Sequence, residues 1–167
     1  MRVSTTKSSV VPFTRKRKIP PISLKYKGCE LAVESKFKYL RITFDTRLTY
    51  RYHIDNVHTK CLKRINLMRL LAGSSWGAQK RSLVAIYRAL VRSVLEYGLE
   101  VFHFAPKKYL IRLERIQACA LRICYGAMRS TPICALQVAC KEMPLDLRHQ
   151  YLSLRFKNEI LGSNNHP

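Results

Sequence analysis

The feature that most constrains this chain is a change of hydrophobic period near residue 46. The segment Lys36-Phe37-Lys38-Tyr39-Leu40-Arg41-Ile42-Thr43-Phe44-Asp45 alternates. As one extended strand it would put Leu40, Ile42 and Phe44 on an apolar face and Phe37, Tyr39, Arg41 and Thr43 on an aromatic, basic one. On pattern alone an ordinary edge strand is the favoured explanation, and a strand crossed by a sugar-phosphate backbone is the alternative. Upstream, Ile22–Tyr26 and Cys29–Val33 flank Lys27-Gly28, where glycine permits the positive φ of a tight hairpin. Pro12 confines Val10–Phe13 to a sheet edge. Three short antiparallel strands are therefore expected, and so few need a covering partner.

Beyond Arg47 the period is helical. Ile54, Val57, Cys61, Ile65, Met68 and Leu71 mark a first helix that Thr49 can cap and Gly73-Ser74-Ser75 ends. Trp76 is expected to pack at that junction. A second helix is predicted from about Gln79 to Phe102 on the stripe Leu83, Ile86, Leu90, Val94 and Tyr97. Pro106 opens a third, Lys107 to about Tyr125, with Leu110, Leu113, Ile116, Ala120 and Ile123 inward and Gly126 as its stop. Pro132 and Pro144 open two more, over Ile133–Lys141 and from Leu145 through Phe156, with 161–167 as a frayed tail. The fold class is α+β. A small antiparallel unit (1–45) precedes a helical domain (46–130) and a helical connection with tail (131–167).

Charge narrows the partners. The 167 residues carry 31 Lys and Arg against 10 acids, a net +21, so polyanions are attracted and nucleic acid is the leading partner. Residues 46–130 hold sixteen cations against four acids, whereas 131–167 hold four against three. The positive field therefore belongs to the strands and first three helices. Arg15-Lys16-Arg17-Lys18 reads as an import signal, a phosphate patch or a solvated loop. No apolar leader follows Met1, and the most apolar run, 83–104, holds Arg88, Arg92, Glu96 and Glu100, so no membrane association is expected. Six cysteines without a Cys-x-x-Cys pair suggest reduced, buried thiols in an intracellular protein, nuclear or cytoplasmic, and no metal site. His53 and His58 do not share a helical face well, and Cys61 with His58 lacks a third orienting group. No phosphate-loop or nucleophile-elbow motif occurs.

The segment Phe37–Asp45 resembles the F-K-Y-L-G-x-x-x-D segment of reverse transcriptases of non-LTR, LINE-like, jockey-type retrotransposons. Val10–Lys18 resembles the end of their palm. Lys60–Leu67, Tyr87–Gly98, Leu113–Gln117 and Ala120–Ile123 resemble their helical thumb. The resemblance implies a C-terminal fragment of an RNA-directed DNA polymerase: palm end, primer grip and thumb. It implies that RNA or an RNA–DNA hybrid is bound without sequence preference. Phe37, Tyr39, Arg41, Lys60, Lys63, Arg64, Arg81, Arg88, Arg92, Arg112 and Arg115 are the expected contacts. About six neutralised phosphates would cost roughly a thousandfold in affinity between 50 and 200 mM salt.

Catalysis in such polymerases needs paired aspartates holding two Mg²⁺ ions about 4 Å apart. Here Asp45, Asp55 and Asp146 lie in separate segments. The resemblance puts the catalytic aspartates upstream, so this chain alone is expected to be inactive and without cofactor, with Mg²⁺ belonging to the intact polymerase. Lys7 falls at a palm lysine position, but Ser8 replaces the family's threonine, so a surface lysine is expected. Arg41 stands where the family has glycine, where it would either gain a phosphate contact or obstruct the primer's approach. The competing reading is a basic helical interaction module for an acidic protein or a separate palm subunit. Base-reading DNA binding is disfavoured, because no short glycine turn joins two helices of recognition size.

Overall fold

The computed structural model describes residues 4, 8–16, 21–73, 77–102 and 104–162. Its contacts divide the chain into two units, Met1–His53 and Ile54–Pro167. Lys7, Arg17, Lys18, Ser74, Ser75, Trp76 and the tail 163–167, singled out above, lie outside the described residues.

The first unit is built of short strands: β1 (Ser9–Val10), β2 (Lys25–Tyr26), β3 (Cys29–Glu30), β4 (Ala32–Val33), β5 (Lys36–Tyr39) and β6 (Ile42–Asp45). β2 and β3 form the hairpin expected at Lys27-Gly28, whose φ values of 50° and 77° are those of a primed two-residue turn. β1 runs parallel to β4, Ser9 opposite Ala32. The strands thus pair in twos, as two hairpins and one short parallel bridge.

The alternating segment is not one strand. It folds back at Leu40-Arg41 into the β5–β6 hairpin, pairing Phe37 with Phe44 and Tyr39 with Ile42. Leu40 (φ 44°) and Arg41 (φ 67°) are both left-handed, the conformation a two-residue hairpin demands. Cross-strand partners share a face. Phe37, Tyr39, Ile42 and Phe44 therefore lie together, opposite Lys36, Lys38, Thr43 and Asp45. Leu40, expected in the core, sits at the tip and is 68% exposed.

The second unit is helical. α1 (Arg51–Leu71) begins just before the unit boundary and buries Ile54, Val57, Cys61, Ile65 and Met68 as expected; Leu71 is exposed. The long second helix is interrupted. α2 (Lys80–Tyr87) passes into a π-helical turn (Arg88–Arg92) and then α3 (Ser93–Glu96), and the chain breaks at Tyr97-Gly98 before α4 (Leu99–Phe102). Tyr97 turns extended at ψ 111° and Gly98 is left-handed at φ 71°. The buried stripe is Leu83, Tyr87, Val91, Leu95 and Leu99, at strict intervals of four. In an α-helix of 3.6 residues per turn such a series drifts around the axis. One wider π turn absorbs the drift and keeps the stripe on the core.

α5 (Lys107–Tyr125) starts after Pro106 and stops at Gly126, φ 66°. It packs on α2, the π turn, α6 (Ile133–Cys140) and α7 (Leu145–Gly162). Beside the expected Leu113, Ile116 and Ala120 it buries Gln117, Leu121 and Cys124. Buried Gln117 donates to the Met143 carbonyl at 2.8 Å and accepts from Gln137 at 3.3 Å, tying α6 and the loop after it to α5.

Candidate nucleic-acid interface

In the first unit the side chains that matter are aromatic. The rings of Phe37 and Tyr39 are stacked, centroids 6.5 Å apart and 22° between planes. With Ser9, Val11, Phe13 and Phe44 they line a shallow basin. Tyr39 and Phe13 are more than half exposed, so the basin offers aromatic surface to a partner. Arg41 is at the hairpin tip, exposed, with a backbone conformation that glycine adopts without penalty. Turn geometry is thus one physical use of a glycine at this position.

Asp45 organises the connection from β6 to α1. Buried, it accepts the Thr49 N–H at 3.1 Å, the Tyr50 N–H at 2.8 Å and the Thr49 hydroxyl at 2.9 Å. Leu48 and Tyr50 inside this loop are both left-handed, at φ 51° and 54°. One carboxylate thus holds a strained connection and satisfies amides that lead into α1. Thr49, expected to cap α1, accepts the Arg51 N–H at 3.5 Å while its hydroxyl donates to Asp45. Tyr50 is buried edge-on to Phe44 at 5.8 Å, and burial, followed by Asp45, raises its pKa. Sequence reasoning missed this use of Asp45. The signal was there: an acid four residues before a threonine at a strand-to-helix junction.

In the second unit the expected cations separate into two groups. Lys60 and Lys63 on α1, Arg81 on α2 and Arg115 on α5 are exposed and form no ion pair among the described residues. The others are engaged. Arg64 donates to the Leu90 carbonyl and Arg112 pairs with Asp55. Arg88 Nε meets Glu142 at 2.6 Å, while Arg92 Nη1 lies 3.2 and 3.0 Å from the two oxygens of the same carboxylate. Arg92 Nε also reaches Glu96 at 3.3 Å, and Arg148 closes the chain on Glu96 at 2.8 Å. That hydrogen bond to Glu96 raises the Arg148 pKa. Arg88–Glu142–Arg92–Glu96–Arg148 is therefore a continuous charge chain joining the π turn and α3 to the loop after α6 and to α7. Its sequence signal was the spacing of Arg88, Arg92 and Glu96, four apart on one helix.

The thiols are free. Cys61, Cys124 and Cys140 are buried as expected, whereas Cys29 and Cys134 are exposed. Burial pushes the Cys61 thiol up to about 11 and Cys124 up to about 12. The three aspartates lie in three different elements, β6, α1 and α7. Asp45 is filled by its hydrogen bonds, Asp55 faces Arg112 and Asp146 sits in the first turn of α7. Among the described residues no cluster of His, Cys, Asp or Glu is arranged to hold a metal ion.

Short antiparallel strands followed by helices are the α+β class expected from the sequence, and comparison with known proteins supports the resemblance. The chain is 30% identical over 128 residues to the RNA-directed DNA polymerase from mobile element jockey of Drosophila melanogaster, covering 76% of this chain and 14% of that protein. The jockey polymerase of Drosophila funebris is 30% identical over 141 residues, 81% of this chain and 15% of its own length. The Pol polyprotein of retrotransposable element R1 from Bradysia coprophila is 27% identical over 129 residues, 76% and 13%. The chain is a fragment similar to one segment of the non-LTR retrotransposon RNA-directed DNA polymerases. It spans about one seventh of the length of the curated relatives it matches. No family model and no solved structure matches it. Among the described residues, no helix is long and apolar enough to cross a membrane.

Proposed function

We propose that this segment is the part of a retrotransposon polymerase that follows the catalytic palm, and that it holds the template–primer duplex without reading its sequence. Residues 1–45 would supply the palm end and primer-grip hairpin, 46–130 the thumb and 131–167 its connection. Chemistry would reside in another part of the polymerase, because the aspartates here are committed to capping and ion pairing.

The observation that carries this reading is the set of exposed, ion-pair-free cations Lys60, Lys63, Arg81 and Arg115 in a chain whose relatives are RNA-directed DNA polymerases. Exposed cations lose little on meeting a phosphate, and each contact releases a counterion. Arg64, Arg88, Arg92 and Arg112 would contribute field more than contact. The Phe37–Tyr39 stack would carry sugar or base packing at the hairpin.

The test is titration of the folded chain with an RNA–DNA hybrid across salt concentrations, with heparin as control. Four phosphate contacts give a log–log slope of about −3.6, roughly a hundredfold loss between 50 and 200 mM. Equal affinity for heparin and hybrid would reduce the proposal to bulk charge.

A second reading is docking against another part of the polymerase or a separate palm chain. It is favoured by Leu147, Tyr151, Leu154 and Leu161, exposed at helical spacing along α7. Concentration-dependent self-association or capture of a separately produced palm would support it.

A further inference from the structure

We propose that a cleft between the start of α2 and the ends of α5 and α6 is a seat for a nucleic-acid phosphodiester. The inference rests on the nucleic-acid reading above and locates one contact within it. The cleft, about 520 Å³, is lined by Lys80, Arg81, Arg88, Tyr125 and Lys141, with Val84, Ala85, Ala139 and Cys140 beneath.

Three features make it more than a solvated basic surface. Two of the cations are held in place: the Lys80 ammonium sits 4.5 Å from the centre of the Tyr125 ring, and Arg88 is fixed by Glu142 at 2.6 Å. Held donors spend less entropy on binding than free ones. Next, Lys141 occupies the left-handed position that ends α6, φ 53°, where glycine is the usual occupant. A cation is kept there at the cost of backbone strain, and retained strain points to a use.

The third feature is the sign of the local field. The C-termini of α5 and α6 meet here, each carrying about half a negative charge, and Glu142 adds one more. Alone they would repel an anion. The four cations outweigh them by about two charges, and the first turn of α2, which Gln79 leaves without a side-chain cap, adds to the surplus. The cleft is therefore a net anion site, and its uncommitted donors are Lys80, Arg81 and Lys141. The Tyr125 ring in its wall and its nucleotide-scale volume favour a nucleic-acid backbone over an extended acidic peptide.

The experiment is lysine acetylation of the full chain with and without a 20-base-pair RNA–DNA hybrid, read by mass spectrometry. Protection of Lys80 and Lys141 by the hybrid, but not by polyglutamate, is expected. A hybrid that binds while leaving both lysines fully acetylated overturns the cleft and spares the broader reading. Absence of binding overturns both. Protection by polyglutamate to the same degree assigns the cleft to an acidic protein instead and overturns the proposal. A doubly neutralised variant, Lys80→Gln with Lys141→Gln, should lower the salt slope by about 2. The exposed pair Lys25→Gln with Lys157→Gln removes the same charge elsewhere and should change it much less. An equal change in both variants, with circular dichroism intact, would also overturn the site.

Discussion

At the scale of single residues, two side chains on the F-K-Y-L segment have opposite effects on the same fold. Arg41 holds a left-handed conformation that costs an L-residue about 1–2 kcal/mol. Arg41→Gly removes that strain and loses about 0.5–1 kcal/mol to the unfolded chain's added freedom. A small net stabilisation is expected, concentrated in the hairpin. Amide exchange of Phe37, Tyr39 and Ile42, which lie in the hydrogen-bonded pairs of the ladder, should slow; unchanged or faster exchange would mean the arginine side chain contributes a contact that offsets its backbone. Asp45 works the other way. Asp45→Ala strands the Thr49 and Tyr50 amides in a loop with two left-handed residues. About 1–2 kcal/mol should be lost in urea unfolding. Asp45→Asn keeps one acceptor and should recover part of it. A neutral result for alanine would show that the loop holds itself.

At the scale of elements, the interrupted second helix assigns its arginines. Arg92 lies on the π turn, 27% exposed, and grips Glu142, whose side chain is 2% exposed. Arg92→Gln should cost about 1–3 kcal/mol, because the buried carboxylate loses one of its two charged partners and keeps only Arg88. It should leave the salt slope of hybrid binding nearly unchanged. Lys63→Gln should do the reverse, within about 0.5 kcal/mol in stability and about one unit in slope. Swapped outcomes in urea unfolding and salt titration would mean that Arg92 leaves Glu142 to meet the nucleic acid. These elements also show what the sequence could tell. α5 was legible end to end because Pro106 and Gly126 punctuate an unbroken period. The α2–α4 stretch was not. Mixed spacings of three and four favoured Ile86, Leu90 and Val94, whereas the fold uses Tyr87, Val91 and Leu95, a series that works only once a π turn is inserted. The Leu40-Arg41 turn was hidden because neither residue is a usual turn former. Which arginines were committed was hidden too, since Glu142 lies 50 or more residues from its partners.

At the scale of the whole molecule, stability and binding should respond to salt with opposite signs. A net charge of +21 on 167 residues makes the compact state self-repelling. Some of the ten acids relieve it: Asp55, Glu96 and Glu142 each face an arginine. Glu96 and Glu142 are shielded from solvent and little affected by added ions, and the exposed Arg155–Glu159 pair contributes little at any salt. What remains is repulsion among exposed cations, which ions at 0.1 M screen beyond about 10 Å. Raising NaCl from 50 to 300 mM should therefore raise Tm by a few degrees, about 2–4 °C for each kcal/mol relieved in a chain of this size. Over the same interval hybrid affinity should fall steeply. Thermal scans of the free chain and titrations in matched buffers measure both. A Tm that falls with salt would mean the arginine–carboxylate chain outweighs the surface repulsion. The bound chain gives the converse check. With the hybrid supplying counter-charge, the rise in Tm with salt should disappear, because the repulsion that salt would screen has already been neutralised by phosphate.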